Sequence, residues 1–258
     1  MTQSTTFSLE GRGLKLDTAA DINAHISPLT SAPTTITELR LHGNTIGVDA
    51  ARALAPHLST LTSLQRANLA DIFTSRLLSE IPPALDALLI SLLPPQNLHT
   101  VDLSDNAFGL NTQAPLVKFL ERHTPLRHLI LNNNGLGPEA GTLVADALTR
   151  LAEAKRAVSS DAPLLETMIC GRNRLENGSM IAWARALAAH GEGLKEVKMV
   201  QNGIRQEGIK VLLQAGLSKA KRLEVLDLQD NVDCRVQQAF SPSHVTSIVV
   251  YSLHLLLL

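Results

Sequence analysis

Aromatic side chains are scarce in this chain of 258 residues: they make up 3% of it, with one Trp and one Tyr, although 45% of the residues are hydrophobic. A core must therefore be assembled from Leu, Ala, Val and Ile, which suits short similar units stacked on one another. An excess of one charge is lacking as well. The formal net charge is −1, so the chain carries no electrostatic footprint for nucleic acid or an anionic membrane. Cysteine occurs only as Cys170 and Cys234, with no CxxC partner and no metal spacing. Cys170 falls on an inward strand position and reads as a small buried hydrophobe. The nine histidines show no i,i+4 pair, which argues against a metal site. No GxxxxGK[ST] loop is present for nucleotide and no GxSxG turn for a nucleophile. Gly135-x-Gly137 precedes a helical pattern, but the third glycine of a dinucleotide fingerprint is misplaced. The opening residues, MTQSTTFSLEGRGLKL, show no basic start followed by an apolar run, so a cytoplasmic setting is expected, a perinuclear position included. The sequon Asn177-Gly178-Ser179 is then idle. The run 248–258 is shorter than the ~20 residues of a membrane span.

What the chain does have is a phrase, L-x-x-L-x-L-x-x-N-x-[L/I/F]. It reads ITELRLHGNTI from Ile36, LHTVDLSDNAF from Leu98, LRHLILNNNGL from Leu126, LETMICGRNRL from Leu165 and LKEVKMVQNGI from Leu194. A sixth copy, LEVLDLQDN from Leu223, stops at its asparagine. Within each phrase apolar residues alternate as in a strand, so that Leu39 and Leu41 face inward while Arg40 and His42 face out. The asparagine that follows is expected to be buried at a turn, satisfying backbone groups of neighbouring coils. Asn44, Asn106, Asn134, Asn173, Asn202 and Asn231 take this role. Between phrases the pattern is helical: Val144, Ala147, Leu148 and Leu151 recur at i, i+3, i+4 and i+7. Pro82 and Pro83 suit the first turn of a helix. Further helices are expected after Gly47, Asn177 and Arg205.

The spacing between ladder asparagines is 28 from Asn106 to Asn134, and 29 from both Asn173 to Asn202 and Asn202 to Asn231. From Asn134 to Asn173 it is 39, and the excess fits the polar stretch 153–161 as an insertion at a helix end. A period of 28–29 belongs to leucine-rich repeats of the helix-bearing kind. The expected fold is an α/β leucine-rich repeat solenoid, a right-handed crescent with a parallel sheet on its concave face and helices on its convex face. Residues 1–231 form this domain. Residues 232–258 read as an aberrant hydrophobic tail without a repeat, the mark of an array truncated at its C-terminus. The expected biochemistry is binding over an extended surface, by a monomer.

One copy is broken. LQRANLADIFTSRL, from Leu64, puts Ile72 where the asparagine belongs and adds residues before the next helix. A longer loop carrying Asp71, Phe73 and Arg76 is expected there. Beside it, on the same edge, the pairs that precede each asparagine are expected to be exposed: Ser104-Asp105, Asn132-Asn133, Gly171-Arg172, Val200-Gln201 and Gln229-Asp230. Asn133 is not the ladder residue, which leaves its amide to face outward. Pattern alone also allows a solvated edge beside a tolerated insertion.

The strings DIFTSR (71–76), LSDNAFG (103–109), LNNNGLGPEAG (131–141), CGRNRLENGSM (170–180), MVQNGIR (199–205) and VLDLQDN (225–231) resemble the Ran GTPase-activating proteins in their fungal form, in register from Phe7 to Asn231. The resemblance implies an activator acting in trans on Ran in its GTP form, in nucleocytoplasmic transport. It would have no cofactor of its own, since GTP and Mg belong to the partner GTPase. Many activators insert an arginine finger worth ~10³–10⁵ in rate. This family is understood to work without one. An asparagine matching Asn133 braces the partner's own catalytic glutamine, and the loop arginine matching Arg76 organises the contact region. The resemblance thus makes Asn133 and Arg76 the activating residues, with Asp71, Phe73, Asp105, Asn132, Arg172, Gln201 and Asp230 as partner contacts. The alternative is a leucine-rich scaffold or inactive fragment without effect on hydrolysis. It draws on the cut-off end and on Leu78, where the family tends to carry a basic residue.

Overall fold

The computed structural model describes residues 5–231 and the backbone of Ser247–Val249. They fall into two compact units, one formed by residues 5–107 with 111–126, the other by 108–110 with 127–231 and Ser247–Val249.

In the first unit β1 (Thr6–Ser8), β3 (Glu38–Arg40), β5 (Arg66–Asn68) and β6 (Thr100–Asp102) pair in parallel in that order. A second, two-stranded parallel sheet joins β2 (Lys15–Leu16) to β4 (Thr45–Ile46). The middle residue of each repeat strand is in the core, as period two requires: Leu39, Ala67 and Val101 are buried while their neighbours are half-buried or exposed. Stacking begins earlier than the repeat phrase does. Phe7 lies opposite Leu39 in β3, and Leu9 and Gly11 donate their N–H groups to Arg40 and His42 carbonyls, so the N-terminal residues form a coil of their own. That coil continues through α1 (Ala19–Asn23), opened by a Thr18–Asp21 capping box, and α2 (Ser27–Ser31). The repeat helices α3 (Val48–Ser59), α4 (Ile81–Ser91) and α5 (Ala114–Arg122) follow. Pro82 and Pro115 sit in the first turns of α4 and α5, where the missing N–H costs nothing.

In the second unit β7 (His128–Ile130), β8 (Thr167–Ile169), β9 (Glu196–Lys198), β10 (Val225–Asp227) and β11 (Ser247–Val249) form a parallel run. Its helices are α6 (Gly137–Val158), α7 (Met180–His190) and α8 (Gln206–Val211). The stretch 153–161, expected as an insertion at a helix end, is mostly helix: α6 runs 22 residues to Val158. Lys155 in that extension is buried, with Nζ donating to the Pro163 carbonyl at 2.7 Å, and burial lowers its pKa to about 8. The helix expected after Arg205 ends early, passing into a wide π turn over Leu212–Gly216. Gly216 lies so close to α7 that a Cβ there would stand 3.0 Å from the Ala184 Cα. The reading of 232–258 as a tail without a repeat falls largely outside the described residues; within it, Ser247–Val249 pair in parallel with β10.

The asparagines are the rungs between coils. Asn44, Asn106, Asn134, Asn173, Asn202 and Asn231 are all buried. The Oδ1 of Asn173 accepts the Asn134 N–H at 2.9 Å, that of Asn202 accepts the Asn173 N–H at 2.8 Å, and that of Asn231 accepts the Asn202 N–H at 2.9 Å. The Nδ2 groups reach back to a preceding carbonyl, Asn173 to Leu131 at 2.7 Å and Asn202 to Cys170 at 2.7 Å. One amide side chain thus satisfies donors and acceptors that stacking would otherwise strand. Cys170 is the small buried hydrophobe its position implied: burial pushes its thiol up to about 12, against the weaker opposing effect of an Asn173 hydrogen bond.

Candidate functional site

At the broken rung Ile72 is fully buried. Its N–H donates to Asn106 Oδ1 at 3.0 Å and its carbonyl accepts the Ile46 N–H at 2.9 Å. An isoleucine keeps the apolar core sealed but offers no side-chain oxygen to the coil before it. The loop that follows supplies a different tie. Arg76, expected on an exposed loop, turns inward: its side chain is only 7% exposed. Nε donates to Thr45 Oγ1 at 2.8 Å and Nη2 to the carbonyls of Thr45 at 3.0 Å and Leu16 at 3.3 Å. Nη1 makes a close ion pair with the Asp17 carboxylate, and this hydrogen bond holds Asp17 below the usual carboxylate range. The guanidinium therefore bridges both strands of the β2–β4 sheet.

The rest of the loop is ordered locally. Asp71 is half-buried, and its carboxylate accepts from the Thr74 hydroxyl. The Leu77 N–H donates to Glu80 Oε2 at 2.9 Å just before α4. Phe73, expected as a partner contact, is 4% exposed and belongs to the core. The reason is its position next to Ile72, where a large apolar ring completes the seal of the broken coil. Leu77 and Leu78 are instead the loop's exposed apolar residues, at 69% and 61%.

The rim positions share a backbone feature. Gly43, Asp71 and Asp105 in the first unit have φ of 72°, 48° and 61°; Asn133, Arg172, Gln201 and Asp230 in the second have 53°, 57°, 52° and 55°. Each occupies the place just before the ladder residue, in the left-handed region that favours Gly, Asn and Asp. In the second unit the backbone N–H of Asn133, Arg172 and Gln201 donates to the carbonyls of Gly171, Val200 and Gln229 at 2.9, 2.8 and 2.9 Å. These turns leave Asn133, Arg172, Gln201 and Asp230 exposed, and Asp105 likewise in the first unit.

The expectation of exposed pairs holds for only one member of each. Ser104 and Gly171 are buried, and Asn132, Val200 and Gln229 are half-buried, because their carbonyls or side chains serve the rungs. Asn132, expected to touch a partner, accepts the Gly171 N–H with its Oδ1 at 2.7 Å. A Cβ on Gly171 would lie 3.1 Å from that oxygen and 3.2 Å from the Val200 carbonyl, so the small residue is what lets Asn132 close down. The left-handed row was missed by pattern reasoning. Its signal was present in the Gly, Asp and Asn that fill five of the seven copies of one repeat position, Arg172 and Gln201 being the exceptions.

Near the strand starts of the second unit Glu166 is flanked by Arg127 and Lys195, with a 2.6 Å contact from Lys195 Nζ and close bonds from Arg127. Burial alone would raise the Glu166 pKa, but the hydrogen bonds from Lys195 and Arg127 outweigh it and bring it to about 2. Among the described residues no group of three or more His, Cys, Asp or Glu could hold a metal ion, and no helix is long and apolar enough to cross a membrane. The arrangement is one of outward amide, carboxylate and guanidinium groups on rigid turns, able to hydrogen-bond a partner surface.

A family profile described as Leucine Rich repeat matches residues 32–55 and 122–145. Over 233 residues the chain is 48% identical to Ran GTPase-activating protein 1 of Saccharomyces cerevisiae, covering 89% of this chain and 56% of that protein. It is 41% identical over 212 residues to Ran GTPase-activating protein 2 of Caenorhabditis elegans, covering 81% of this chain and 22% of that protein. To Ran GTPase-activating protein 1 of Xenopus laevis it is 41% identical over 201 residues, 76% of this chain and 34% of that protein. The chain therefore spans 56% of the yeast relative and about a third or less of the other two. It is an α/β leucine-rich repeat protein, homologous over most of its length to the Ran GTPase-activating proteins.

Proposed function

We propose that this chain is a GTPase-activating protein for the small GTPase Ran, acting in the cytoplasm on the GTP-bound partner, as a monomer and without a cofactor of its own. The catalytic machinery, with GTP and Mg, belongs to the GTPase. The observation that carries the reading is Asn133: an exposed amide on a left-handed turn, next to the buried rung Asn134. An amide held this way can donate to and accept from a neighbouring glutamine. Fixing a glutamine that orients the attacking water lowers the barrier by positioning rather than by added charge. Arg76, with its guanidinium seated on Asp17, Thr45 and Leu16, suits a role in shaping the contact region. Arg172, Gln201 and Asp230 are the exposed contacts in the same unit as the bracing group, and Asp105 is the exposed contact of the first unit.

The test uses single-turnover hydrolysis of Ran·GTP with catalytic amounts of this chain. Asn133→Asp keeps the size and the left-handed tolerance but removes the amide donor. Asn133→Gly relaxes the backbone and removes the side chain. Both are expected to keep the thermal midpoint within a few degrees and to lose stimulation by about 10²-fold, the scale of a misplaced reacting group. Near-wild-type rates in both variants would sink the assignment of Asn133.

A further inference from the structure

The broken repeat contains a purpose-built seat for its arginine, assembled from residues far away in sequence. Four N–H directions of the Arg76 guanidinium are used: Nε to Thr45 Oγ1, Nη1 to Asp17, and Nη2 to the Thr45 and Leu16 carbonyls. Asp17 is itself fixed, since its N–H donates to Asp21 Oδ2 at 3.0 Å and its carboxylate also meets Lys15 Nζ at 3.3 Å. An independent observation comes from Gly47. Its φ of −82° is open to any residue, so its small size is not explained by backbone conformation. A Cβ there would stand 3.1 Å from Arg76 Nη1, 3.2 Å from the Asp17 carbonyl and 3.3 Å from the Asp17 Cα. The glycine leaves the space into which the guanidinium folds. With the arginine committed inward, the side chains the loop turns out are Thr74, Ser75, Leu77, Leu78 and Ser79, all exposed and none cationic.

We propose that Asp17, Thr45 and Gly47 are positioning residues for the activating function: they seat Arg76, and through it hold loop 71–80 against the N-terminal coil in the shape the GTPase partner meets. The inference rests on the Ran-activating reading for its functional half, and on the seat alone for its structural half. A guanidinium with charge-assisted bonds to a carboxylate and two carbonyls gives up several strong interactions if it swings out. Asp17, 59 residues before the arginine, thus controls the loop without needing to touch a partner.

Hydrogen–deuterium exchange over residues 71–80 is measured together with kcat and KM for stimulated Ran·GTP hydrolysis, in wild type, Asp17→Asn, Gly47→Ala, Arg76→Ala and Asp17→Asn/Arg76→Ala. The seat variants are expected to speed exchange of the loop amides and raise KM about tenfold or more, the scale of one lost charge-assisted hydrogen bond. Their kcat should stay within about twofold, because a loosened loop can still adopt the productive shape at a population cost. The double variant should be no worse than Arg76→Ala, since both remove one interaction. If Asp17→Asn does not fold, Thr45→Val removes the Nε acceptor and replaces it. Wild-type exchange and wild-type kinetics in Asp17→Asn and Gly47→Ala, with Arg76→Ala inactive, would overturn the proposal, because Arg76 would then act on the partner directly. If wild type itself fails to stimulate Ran, the activating reading falls. Loop exchange then decides the seat: faster exchange in the variants upholds it, and unchanged exchange overturns it.

Discussion

Residues flanking the ladder asparagines carry most of the backbone strain in this protein, and side-chain chemistry says which of them are placed there for folding. On the far side of the rung, Ala107, Gly135, Arg174 and Gly203 have φ of 56°, 61°, 56° and 70°. Glycine at two of the four is what local energetics favours, because a Cβ in the left-handed region costs roughly 1–2 kcal/mol. No atom lies within 4 Å of a Cβ built on Gly135, so Gly135→Ala isolates the backbone penalty. It is expected to lower stability by about 1 kcal/mol. Arg174→Gly should raise stability by a similar amount, less the entropy glycine loses on folding. Urea unfolding of both variants checks this, and an Arg174→Gly that destabilises would mean that the exposed guanidinium makes a compensating contact. The same logic separates the rim residues. Asp105, Asn133 and Asp230 are residue types that tolerate the turn, whereas Arg172 and Gln201 are held there against preference.

At the scale of the element, the unit of stability is the rung between coils, and the broken copy shows what a rung is for. Asn173 accepts from the Asn134 N–H and donates to the Leu131 and Gly171 carbonyls. Asn173→Ile, which copies the side chain found at Ile72, would leave those buried groups unmet, with no seated arginine to bridge the coils. A loss of about 3 kcal/mol is expected, in line with one or more stranded buried polar groups. Equilibrium urea denaturation measures it, and a loss under ~1 kcal/mol would mean the asparagines do not hold the coils together. The rungs, strands and most helices were legible in the sequence, because period-two leucines and a buried polar residue at fixed spacing have one stable arrangement. Three things were not legible. The N-terminal coil, like the copy from Leu64, lacks the ladder asparagine, and Phe7 and Leu9 alone do not distinguish a coil from a loop. Phe73 follows a broken phrase on an inserted loop, which points to an exposed edge, whereas its ring is buried beside Ile72. The inward turn of Arg76 depends on Asp17, Thr45 and Gly47, three residues brought together by stacking and by no local pattern.

For the whole molecule, charge nearly cancels at pH 7, with a formal net charge of −1, so the first response to acid comes from groups whose pKa the fold shifts. His190 is buried at the end of α7, its Nδ1 accepting the Leu165 N–H at 3.2 Å and its Nε2 lying 2.9 Å from the Leu148 carbonyl. Burial lowers its pKa from 6.5 to about 3, against a hydrogen bond to Leu148 that acts the other way. A histidine kept neutral by the fold contributes stability above pH 6.5, and that contribution fades as pH falls toward 3, because the unfolded chain takes the proton first. Burial lowers half-buried His128 as well, adding to the same range. Glu166, lowered from 4.5 to about 2, contributes fully above pH 4.5 and loses its share, about 3 kcal/mol, between there and pH 2. Stability should therefore be flat near pH 7, decline gently below pH 6.5 and steepen below pH 4.5. Urea midpoints across this range test the curve. His190→Gln is expected to flatten the upper decline to the part owed to His128, and Glu166→Gln to reduce the steepening to the part owed to Asp17 and the other lowered carboxylates, Asp21 and Glu38. If both variants retained the wild-type slopes, acid sensitivity would have to arise from other groups, and the two buried side chains would be titrating alike in the folded and unfolded chain.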